Sequence, residues 1–210
     1  MLTPERMLDA YRVGVFPMAV ASDSPELHWV EPTLRGVFPL DRFHISRSLR
    51  KRILAGGYEV VINGDFAGVV GACAARPETW INDDLHVLYQ GLHKMGRAHS
   101  IEVREGGVLI GGVFGLTIGA AFFGESMFSR KTDGSKIALA YLVGRLREAG
   151  FKLFDTQFLT PHLASLGAIE IPRLTYLRQL KVALVHEADF LSPGPPPQPY
   201  SLMQCMTQTS

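Results

Sequence analysis

The sequence predicts an α+β or mixed α/β domain built on one sheet. Strand-like segments run from His99 to Ser129, the clearest helix follows over residues 133–150, and a strand that is apolar on both faces comes next. Strands, helix, strand and helix in this order are typical of that fold class. With 210 residues, 47% of them apolar and 20% charged, the chain is long enough for one well-buried domain, which excludes disorder of the whole chain.

The first predicted element is a short helix in LTPERMLDAYRVG. Thr3 is suited to the N-cap, Pro4 to the first helical position and Gly14 to the end. The following VFPMAVASDSPELHWVEPTLRG is rich in Pro, Ser and Asp and has no sustained period, so we expect an irregular segment. The predicted units are a small N-terminal lobe, a main domain and a proline-rich tail, at residues 1–33, 34–190 and 191–210.

The main domain is predicted to begin with a strand and two helices. YEVVIN is a strand that turns at Asn63 into a helix beginning at Asp65, and a second helix spans about Asn82 to Met95. HSIEVRE, VLIGGVFGLTIG and AAFFGESMFS then predict three strands joined by glycine-containing turns.

The last third of the chain returns to helices. DGSKIALAYLVGRLREAG is a helix with Asp133 or Ser135 as its cap and Gly150 at its end, and FKLFDTQFL predicts a central strand. PHLASLGA begins another helix, and the last predicted helix, opened by Pro172, lies in IPRLTYLRQLKVALVHEAD. The remaining LSPGPPPQPYSLMQCMTQTS is expected to be poorly ordered or to wrap the surface.

Several classes of protein and site are disfavoured. No apolar span of membrane length and no signal-peptide pattern occurs, so we expect a cytoplasmic protein without membrane association. Cys73 and Cys205 suggest neither a disulfide framework nor a zinc site, and His86 and His93 lack a third ligand of suitable spacing. No metal is therefore expected.

Two predicted strands each carry a carboxylate among apolar neighbours. By alternation, Glu125 shares a face of its strand with Phe123 and Met127. Asp155 shares a face of the other strand with Leu153 and Gln157. An unpaired buried carboxylate is destabilising, so each must be hydrogen-bonded, lie at a strand end, or belong to a site that uses its charge. A structural hydrogen bond explains most single cases, but two carboxylates and Gln157 together indicate a pocket.

The run HISRSLRKR contains a cluster of four cations: Arg47, Arg50, Lys51 and Arg52. If the local structure gathers them on one face, they form a phosphate-binding patch. The alternative is a solvated surface run, because charge alone does not establish nucleic-acid binding.

Six segments together carry a resemblance to a known family: HISRS, TWI, AHSIEV, FFGESMFSR, DGSKIAL and FDTQFLTPHLASLGAIEIPR. In their order and spacing, over about residues 11–180, the chain resembles bacterial leucyl/phenylalanyl-tRNA protein transferases. The resemblance implies transfer of Leu or Phe, and less well Met, from aminoacyl-tRNA to proteins that begin with Arg or Lys, which marks them for degradation by the N-end rule. It also implies a GNAT-like fold, that of acyl-CoA N-acyltransferases, and a monomer with no cofactor.

The same resemblance assigns roles to residues. Asp155 and Gln157 match positions implicated in catalysis, by a relay from the carboxylate through the amide to the attacking amine, and Glu125 matches a position expected to contact the basic acceptor. The implied donor side-chain pocket is Val113, Met127, Leu139, Leu142 and Phe154, residues that otherwise pass for ordinary core. The implied nucleotide contacts are Trp80 and Phe122 for the terminal adenosine, and Arg47, Arg50, Lys51 and Arg52 for the tRNA phosphates.

The sequence departs from the family at two notable positions. Met18 stands where longer members have a tryptophan that stacks on the adenosine, and Phe114 replaces a tyrosine. Three alternatives remain: a CoA-dependent N-acetyltransferase of the same fold, an RNA-binding module without catalytic activity, and a transferase of Leu to N-terminal Asp or Glu. CoA-dependent enzymes of this fold bind pyrophosphate through a glycine-rich loop, so the single glycine of RKTDG at that position argues against an N-acetyltransferase. The negative charge of Glu125 near the acceptor argues against acceptors that begin with Asp or Glu.

Overall fold

The computed structural model describes residues 2–20, 24, 26–76 and 79–207. In this part of the chain the helices are α1 Pro4–Arg12, α2 Arg47–Ala55, α3 Phe66–Ala74, α4 Asp83–Lys94, α5 Gly134–Glu148, α6 Pro161–Ser165, α7 Arg173–Val185 and α8 Pro199–Thr207. The strands are β1 Phe16–Ala19, β2 Leu27–Val30, β3 Leu34–Val37, β4 Glu59–Ile62, β5 Ala98–Glu105, β6 Val108–Ile118, β7 Ala121–Ser129, β8 Leu153–Gln157 and β9 Ile169–Pro172.

The α+β prediction is confirmed. Seven strands form one mostly antiparallel sheet in the order β4-β5-β6-β7-β8-β3-β9, and β7 and β8, joined through α5, are its parallel pair. Strand β8 lies between β7 and β3, so it is central as its two apolar faces predict.

The sheet separates two hydrophobic cores. Neighbouring residues of one strand enter different cores: Phe123 packs with α1, α3, α4 and α7, whereas Phe122 packs with α2, α5, α6 and α8. Helix α1 contributes Met7 and Tyr11 to the first core, so the start of the chain shares its apolar interior with α3 and α4. This placement brings an N-terminal side chain close to the middle of the sheet.

The predicted helix caps largely agree with the structure. The Thr3 hydroxyl accepts a hydrogen bond from the Arg6 N–H, with Pro4 as the first residue of α1. Asp133 occupies the N-cap of α5, but it has left-handed backbone torsions and no side-chain capping bond. The first turn of α5 is instead bonded through the Ser135 N–H to the Ser129 hydroxyl.

The prediction of an irregular segment after α1 is wrong. Strands β1 and β2 pair antiparallel, with Phe16 opposite Val30, and β3 joins the main sheet between β8 and β9. Burial of Phe16 and Val37 outweighs the weak local pattern of these four-residue strands. Part of the segment, residues 21–23 and 25, lies outside the described residues.

Two helices were not predicted. The basic run forms α2, which begins at Ser46 with a side-chain cap to the Leu49 N–H. The proline-rich tail contains α8, whose Leu202 and Met203 are buried against the core that holds α2 and α5. Residues 208–210 lie outside the described part of the tail. None of the described helices is long and apolar enough to cross a membrane.

Candidate active site

A cavity of about 510 Å³ opens where β7 and β8 separate. The two strands pair over Ala121–Phe123 and Leu153–Asp155 and then diverge. Every residue of β7 beyond that point, 124–129, lines the cavity, together with the end of β8 and parts of α5 and α6. The split in the sheet therefore gives side chains from both faces access to one space.

A β-bulge places the carboxylate of Glu125 at this split. On the facing strand β6, Phe114 pairs with Ser126 and Gly115 pairs with Gly124, so Glu125 is an extra residue without an opposite partner. A bulge of this kind bends its strand and redirects side chains, and it is common next to active sites.

The bulge also corrects the predicted strand face. Glu125 shares its side of β7 with Phe123, as alternation predicts, but Met127 packs on the opposite side with Val113. The extra residue shifts the alternation by one position, so the prediction that Met127 shares the face of Glu125 is wrong.

The Glu125 carboxylate is buried in a cage of donors. Its Oε1 accepts hydrogen bonds from the Tyr11 hydroxyl at 2.8 Å and the Gln157 amide at 3.3 Å, and its Oε2 accepts one from the Tyr89 hydroxyl at 2.6 Å. Burial raises the pKa of Glu125 to about 7, although the two tyrosine hydrogen bonds favour the charged form. Near neutral pH the group is therefore poised between acid and carboxylate.

Asp155 lies behind this cage and does not reach the cavity. Its carboxylate pairs with Arg35, accepts a 2.7 Å hydrogen bond from the Tyr176 hydroxyl, and accepts a 2.8 Å hydrogen bond from the Gln157 main-chain N–H. The bond to Gln157 joins the main chain, not the side-chain amide that the expected relay requires. This geometry makes Asp155 a positioning residue for Gln157.

Gln157 ends β8 in a left-handed conformation, with φ of 56°. Such torsions are uncommon for residues with a side chain. The Asp155 carboxylate holds the Gln157 N–H, and the register sets Gln157 opposite Gly36 of β3. The side-chain amide reaches Glu125, and Gln157 lines the cavity, so a residue with uncommon torsions lies at the candidate site, where such residues often occur.

The apolar side of the cavity contains most of the predicted donor pocket. Its lining includes Val113, Met127, Leu139 and Phe154. Leu142 is fully buried in the core and is not part of the lining. The structure thus brings four of the five predicted pocket residues together around one apolar space.

Of the two aromatic residues predicted to contact the terminal adenosine, Trp80 lines the cavity and Phe122 does not. Trp80 lines the cavity and is partly exposed, beside Phe16 and Met18 of β1. Phe122 is 1% exposed and packs between Phe154 and Phe190, so it presents no ring face to an adenosine. This corrects the expected stacking role of Phe122.

Three of the four predicted cations lie on one helix face. Arg47, Arg50 and Lys51 are exposed at the i, i+3 and i+4 spacing of α2, while Leu49 and Ile53 are buried. The fourth cation, Arg52, lies on another face of α2. Its guanidinium forms a 2.8 Å ion pair with the Glu105 carboxylate of β5 and donates a hydrogen bond to the Gly56 main-chain carbonyl.

The basic helix adjoins the cavity wall. The His44 N–H, just before α2, donates a 2.8 Å hydrogen bond to the Leu166 carbonyl at the end of α6. Helix α6 contributes His162 and Leu163 to the cavity lining. The start of α2 is therefore connected to α6, which contributes to the cavity wall.

Sequence reasoning missed the residues that hold the two carboxylates: Tyr11, Arg35, Tyr89 and Tyr176. Tyr11 and Tyr89 follow the apolar periodicity of α1 and α4, as core residues do. The one available signal was Arg35, a cation in a short segment whose neighbours are apolar, which calls for a buried partner.

Comparison with known proteins identifies close relatives. The chain matches the family model described as leucyl/phenylalanyl-tRNA protein transferase over residues 37–181, and that of its N-terminal domain over residues 1–33. Leucyl/phenylalanyl-tRNA–protein transferases from Cereibacter sphaeroides, Ruegeria pomeroyi and Roseobacter denitrificans are 62%, 58% and 56% identical to it; each alignment covers 100% of this chain, and 98%, 99% and 99% of the respective relatives.

A solved structure with some similarity is that of L-PGS from Bacillus licheniformis. It is 16% identical with a TM-score of 0.41, and the alignment covers 77% of this chain and 55% of that chain. A likeness at this level supports no argument about fold or site.

Proposed function

Because the chain belongs to the leucyl/phenylalanyl-tRNA protein transferase family and is an aminoacyltransferase, we propose that it transfers leucine or phenylalanine, and less readily methionine, to proteins that begin with Arg or Lys. The observation that carries this proposal is the Glu125 carboxylate, buried at the split between β7 and β8 and facing the same cavity as an apolar pocket. One end of the cavity suits a neutral apolar group and the other suits a cation.

The apolar end accounts for the donor side chain. Val113, Leu139 and Phe154 are nearly buried yet line the cavity, so a side chain that enters there leaves water. Leucine, phenylalanine and methionine gain free energy from that transfer, whereas a polar side chain loses hydrogen bonds that these walls do not replace.

The acidic end accounts for the acceptor. A cation beside Glu125 favours the ionised carboxylate and lowers its pKa from about 7, so acceptor binding and ionisation reinforce each other. An acceptor that begins with Asp or Glu brings a second carboxylate next to Glu125, and the repulsion disfavours it.

The reaction requires no cofactor in this proposal. The acceptor α-ammonium, with an ordinary pKa of about 8, loses a proton and its nitrogen attacks the ester carbonyl carbon. The carbon–nitrogen bond forms, the bond from carbon to the ribose oxygen breaks, and that oxygen gains a proton. Gln157 and Glu125 orient the amine, and because the ester is already activated, positioning supplies much of the rate.

The body of the tRNA is held outside the cavity, and its aminoacylated end enters it. Arg47, Arg50 and Lys51 on the exposed face of α2 would contact phosphates without reading sequence, which suits the use of several tRNAs. Trp80 would stack on the terminal base, an interaction worth about 1 to 3 kcal/mol and tolerant of base identity.

We also propose that the sheet is of the acyl-CoA N-acyltransferase type, because β7 and β8 are parallel, joined through α5 and separated at the cavity. Use of CoA itself is disfavoured. A Cβ at Gly111 would lie 2.4 Å from the Gly134 carbonyl carbon, so the start of α5 is packed on β6, and the Ser135 N–H is already bonded to Ser129. The first-turn amides of Gly134 and Ser135 are thus already bonded, that of Gly134 to the Lys131 carbonyl, which disfavours binding of a pyrophosphate there.

The test is transfer of labelled Phe and Leu from charged tRNA to two peptides that differ only in an N-terminal Arg or Asp. Acetyl-CoA replaces the tRNA in a parallel reaction. We expect labelling of the Arg peptide alone; labelling of the Asp peptide, or acetylation, contradicts the proposal. A Gln157→Ala variant that binds tRNA normally and fails to transfer separates an enzyme from an RNA-binding module.

A further inference from the structure

One permanently charged cation lines the cavity between β7 and β8. Among the described residues of the lining, Arg76 is the one arginine or lysine, and Glu125 is the one carboxylate. Arg76 comes directly after α3 and its C-cap, and it is exposed to solvent, so a ligand in the cavity can reach it. The reaction steps proposed above give this cation no role.

Two hydrogen bonds hold the guanidinium at the cavity wall. Arg76 Nη2 donates to the Ser126 hydroxyl at 2.9 Å, and Arg76 Nε donates to the Cys73 main-chain carbonyl at 3.2 Å. Ser126 follows the bulge residue Glu125 on β7 and itself lines the cavity. Because the side chain is already ordered, binding a ligand requires less loss of conformational entropy than it does for a free surface arginine.

The charge of Arg76 is not compensated by a carboxylate of the described chain. The two acceptors of its hydrogen bonds, a hydroxyl and a carbonyl, are neutral. None of the ion pairs among the described residues includes it. The Glu125 carboxylate of the same cavity accepts its hydrogen bonds from Tyr11, Tyr89 and Gln157 instead. An uncompensated cation in a cavity wall favours an anionic ligand group.

Contacts through β7 connect Arg76 with the proposed base-stacking residue, Trp80. The ring centroids of Trp80 and Tyr89 are 6.4 Å apart, and the Tyr89 hydroxyl is bonded to Glu125 at 2.6 Å. The next residue of β7, Ser126, is the one that binds Arg76. Trp80 and Arg76 are thus linked to adjacent residues of one strand, and both line the same cavity.

An aminoacylated nucleotide brings one anionic group of its own to the cavity. Its base and its ester are uncharged, whereas the phosphodiester on the 5′ side of the same ribose is negative. A guanidinium suits this group, because its planar N–H donors match the spacing of two phosphate oxygens. Ser126 and Cys73 use two of the N–H groups of Arg76, and the others remain for a ligand.

We infer that Arg76 binds the phosphodiester on the 5′ side of the donor's terminal nucleotide and so positions the ester for attack. The inference rests on the proposed function and adds to it a phosphate contact inside the cavity, separate from those of α2. A stacked base and a bound phosphate hold the ribose at two points, which restricts the orientation of the ester beside Gln157 and Glu125. The contact reads no base, so it serves every donor tRNA alike.

The test measures inhibition by two unreactive donor analogues. In both, phenylalanine is joined to 3′-amino-3′-deoxyadenosine by an amide in place of the ester; one analogue has a free 5′ hydroxyl and the other a 5′ methyl phosphodiester. Inhibition constants are measured against transfer of phenylalanine from charged tRNA to an Arg peptide. The proteins are the wild type, Arg76→Met and the conservative Arg76→Lys. Arg178→Met, on an exposed position of α7 outside the lining, is the matched control, and thermal unfolding checks that each variant is folded.

We expect the wild type to bind the phosphodiester analogue at least about fivefold more tightly than the analogue with a free hydroxyl, the effect of one charge-assisted hydrogen bond. In Arg76→Met the two inhibition constants become equal, because binding of the phosphodiester analogue weakens while binding of the other is unchanged. Arg76→Lys keeps part of the difference, since the ammonium group retains the charge but not the planar set of donors. Arg178→Met keeps the wild-type difference.

A wild-type difference that persists in Arg76→Met, or a wild type that binds both analogues equally, overturns the phosphate contact. Equal weakening of both analogues in Arg76→Met also overturns it, because the guanidinium then acts on a group that both analogues share. If the wild type transfers phenylalanine from charged tRNA to the Arg peptide in these assays, the proposed function stands while the phosphate contact falls. Absence of that transfer overturns both.

Discussion

The Arg35 guanidinium donates two hydrogen bonds to the Asp155 carboxylate, from Nε to Oδ1 at 2.9 Å and from Nη2 to Oδ2 at 2.7 Å, and both side chains are buried. The guanidinium also binds the Gly14 carbonyl at 3.0 Å, which connects the chain after α1 to the centre of the sheet. Arg35 therefore fixes the position of the Asp155 carboxylate, which accepts a hydrogen bond from the main-chain N–H of Gln157.

Variants of the Arg35–Asp155 pair distinguish its effect on the stability of the protein from its effect on transfer activity. Arg35→Met leaves a buried carboxylate uncompensated, so we expect the free energy of unfolding to fall by about 3 to 5 kcal/mol. The double variant Arg35→Met with Asp155→Leu removes both charges and recovers part of that loss. Transfer stays low in the double variant because the Gln157 N–H has lost its acceptor. Urea unfolding and kcat measure the two effects, and recovery of both together would contradict a positioning role.

The pKa of Glu125 predicts a pH-dependent stability. In the folded protein it is raised from 4.5 to about 7, so the folded state holds the proton more tightly than the unfolded chain. The resulting stabilisation is complete below about pH 4.5 and is lost as pH rises to about 7, a total of about 3 kcal/mol. Urea unfolding from pH 5 to 8 should show this decline in the wild type relative to Glu125→Gln. Parallel curves for the two proteins would show that Glu125 titrates normally.

The apolar pocket predicts a change in donor preference. Val113→Phe adds a ring to a wall of the cavity, so we expect transfer of phenylalanine to fall at least about tenfold more than transfer of leucine, since overpacking costs about 1 to 3 kcal/mol. Competition between equal amounts of the two charged tRNAs measures the ratio. Leu142→Met is the matched control, because Leu142 is buried outside the lining and should leave the ratio unchanged.

The basic face of α2 predicts unequal roles for neighbouring cations. Arg50→Ala and Lys51→Ala should each weaken tRNA binding and reduce the slope of log K against log salt by about 0.7 to 0.9, the contribution of one phosphate contact. Arg52→Ala should leave the slope unchanged, because this side chain already pairs with Glu105. Filter binding over a range of salt concentrations measures the slopes. Equal slopes for the Arg50 and Arg52 variants would contradict the assignment.

Local rules were sufficient for much of the fold. The Thr3 cap, the turn at Asn63 and the central strand β8 follow from residue preferences and apolar periodicity. The predicted shared face of Asp155 and Gln157 stays a prediction, because the register of β8 against β3 shifts between these two residues.

The cage around Glu125 does not follow from local rules. Tyr11 and Tyr89 are 114 and 36 residues away in the chain, and each resembles an ordinary core residue of its helix. The bulge at Glu125 depends on the register of β6 against β7, which the sequence of β7 alone does not specify. Helix α8 was missed because its buried contacts with the rest of the protein, through Leu202 and Met203, outweigh a proline-rich composition.

Whether the charge of Glu125 selects a basic acceptor is decided by a cycle that removes the charge of Glu125 and the charge of the acceptor in turn. Transfer of phenylalanine to peptides that begin with Arg or with its neutral isostere citrulline is measured for the wild type and Glu125→Gln, with Leu142→Met as control. We predict that the wild type and the control prefer Arg by at least about tenfold, and that Glu125→Gln loses most of this preference, since a buried charge pair contributes more than 1 kcal/mol. An unchanged preference for Arg in Glu125→Gln would show that Glu125 does not select the acceptor.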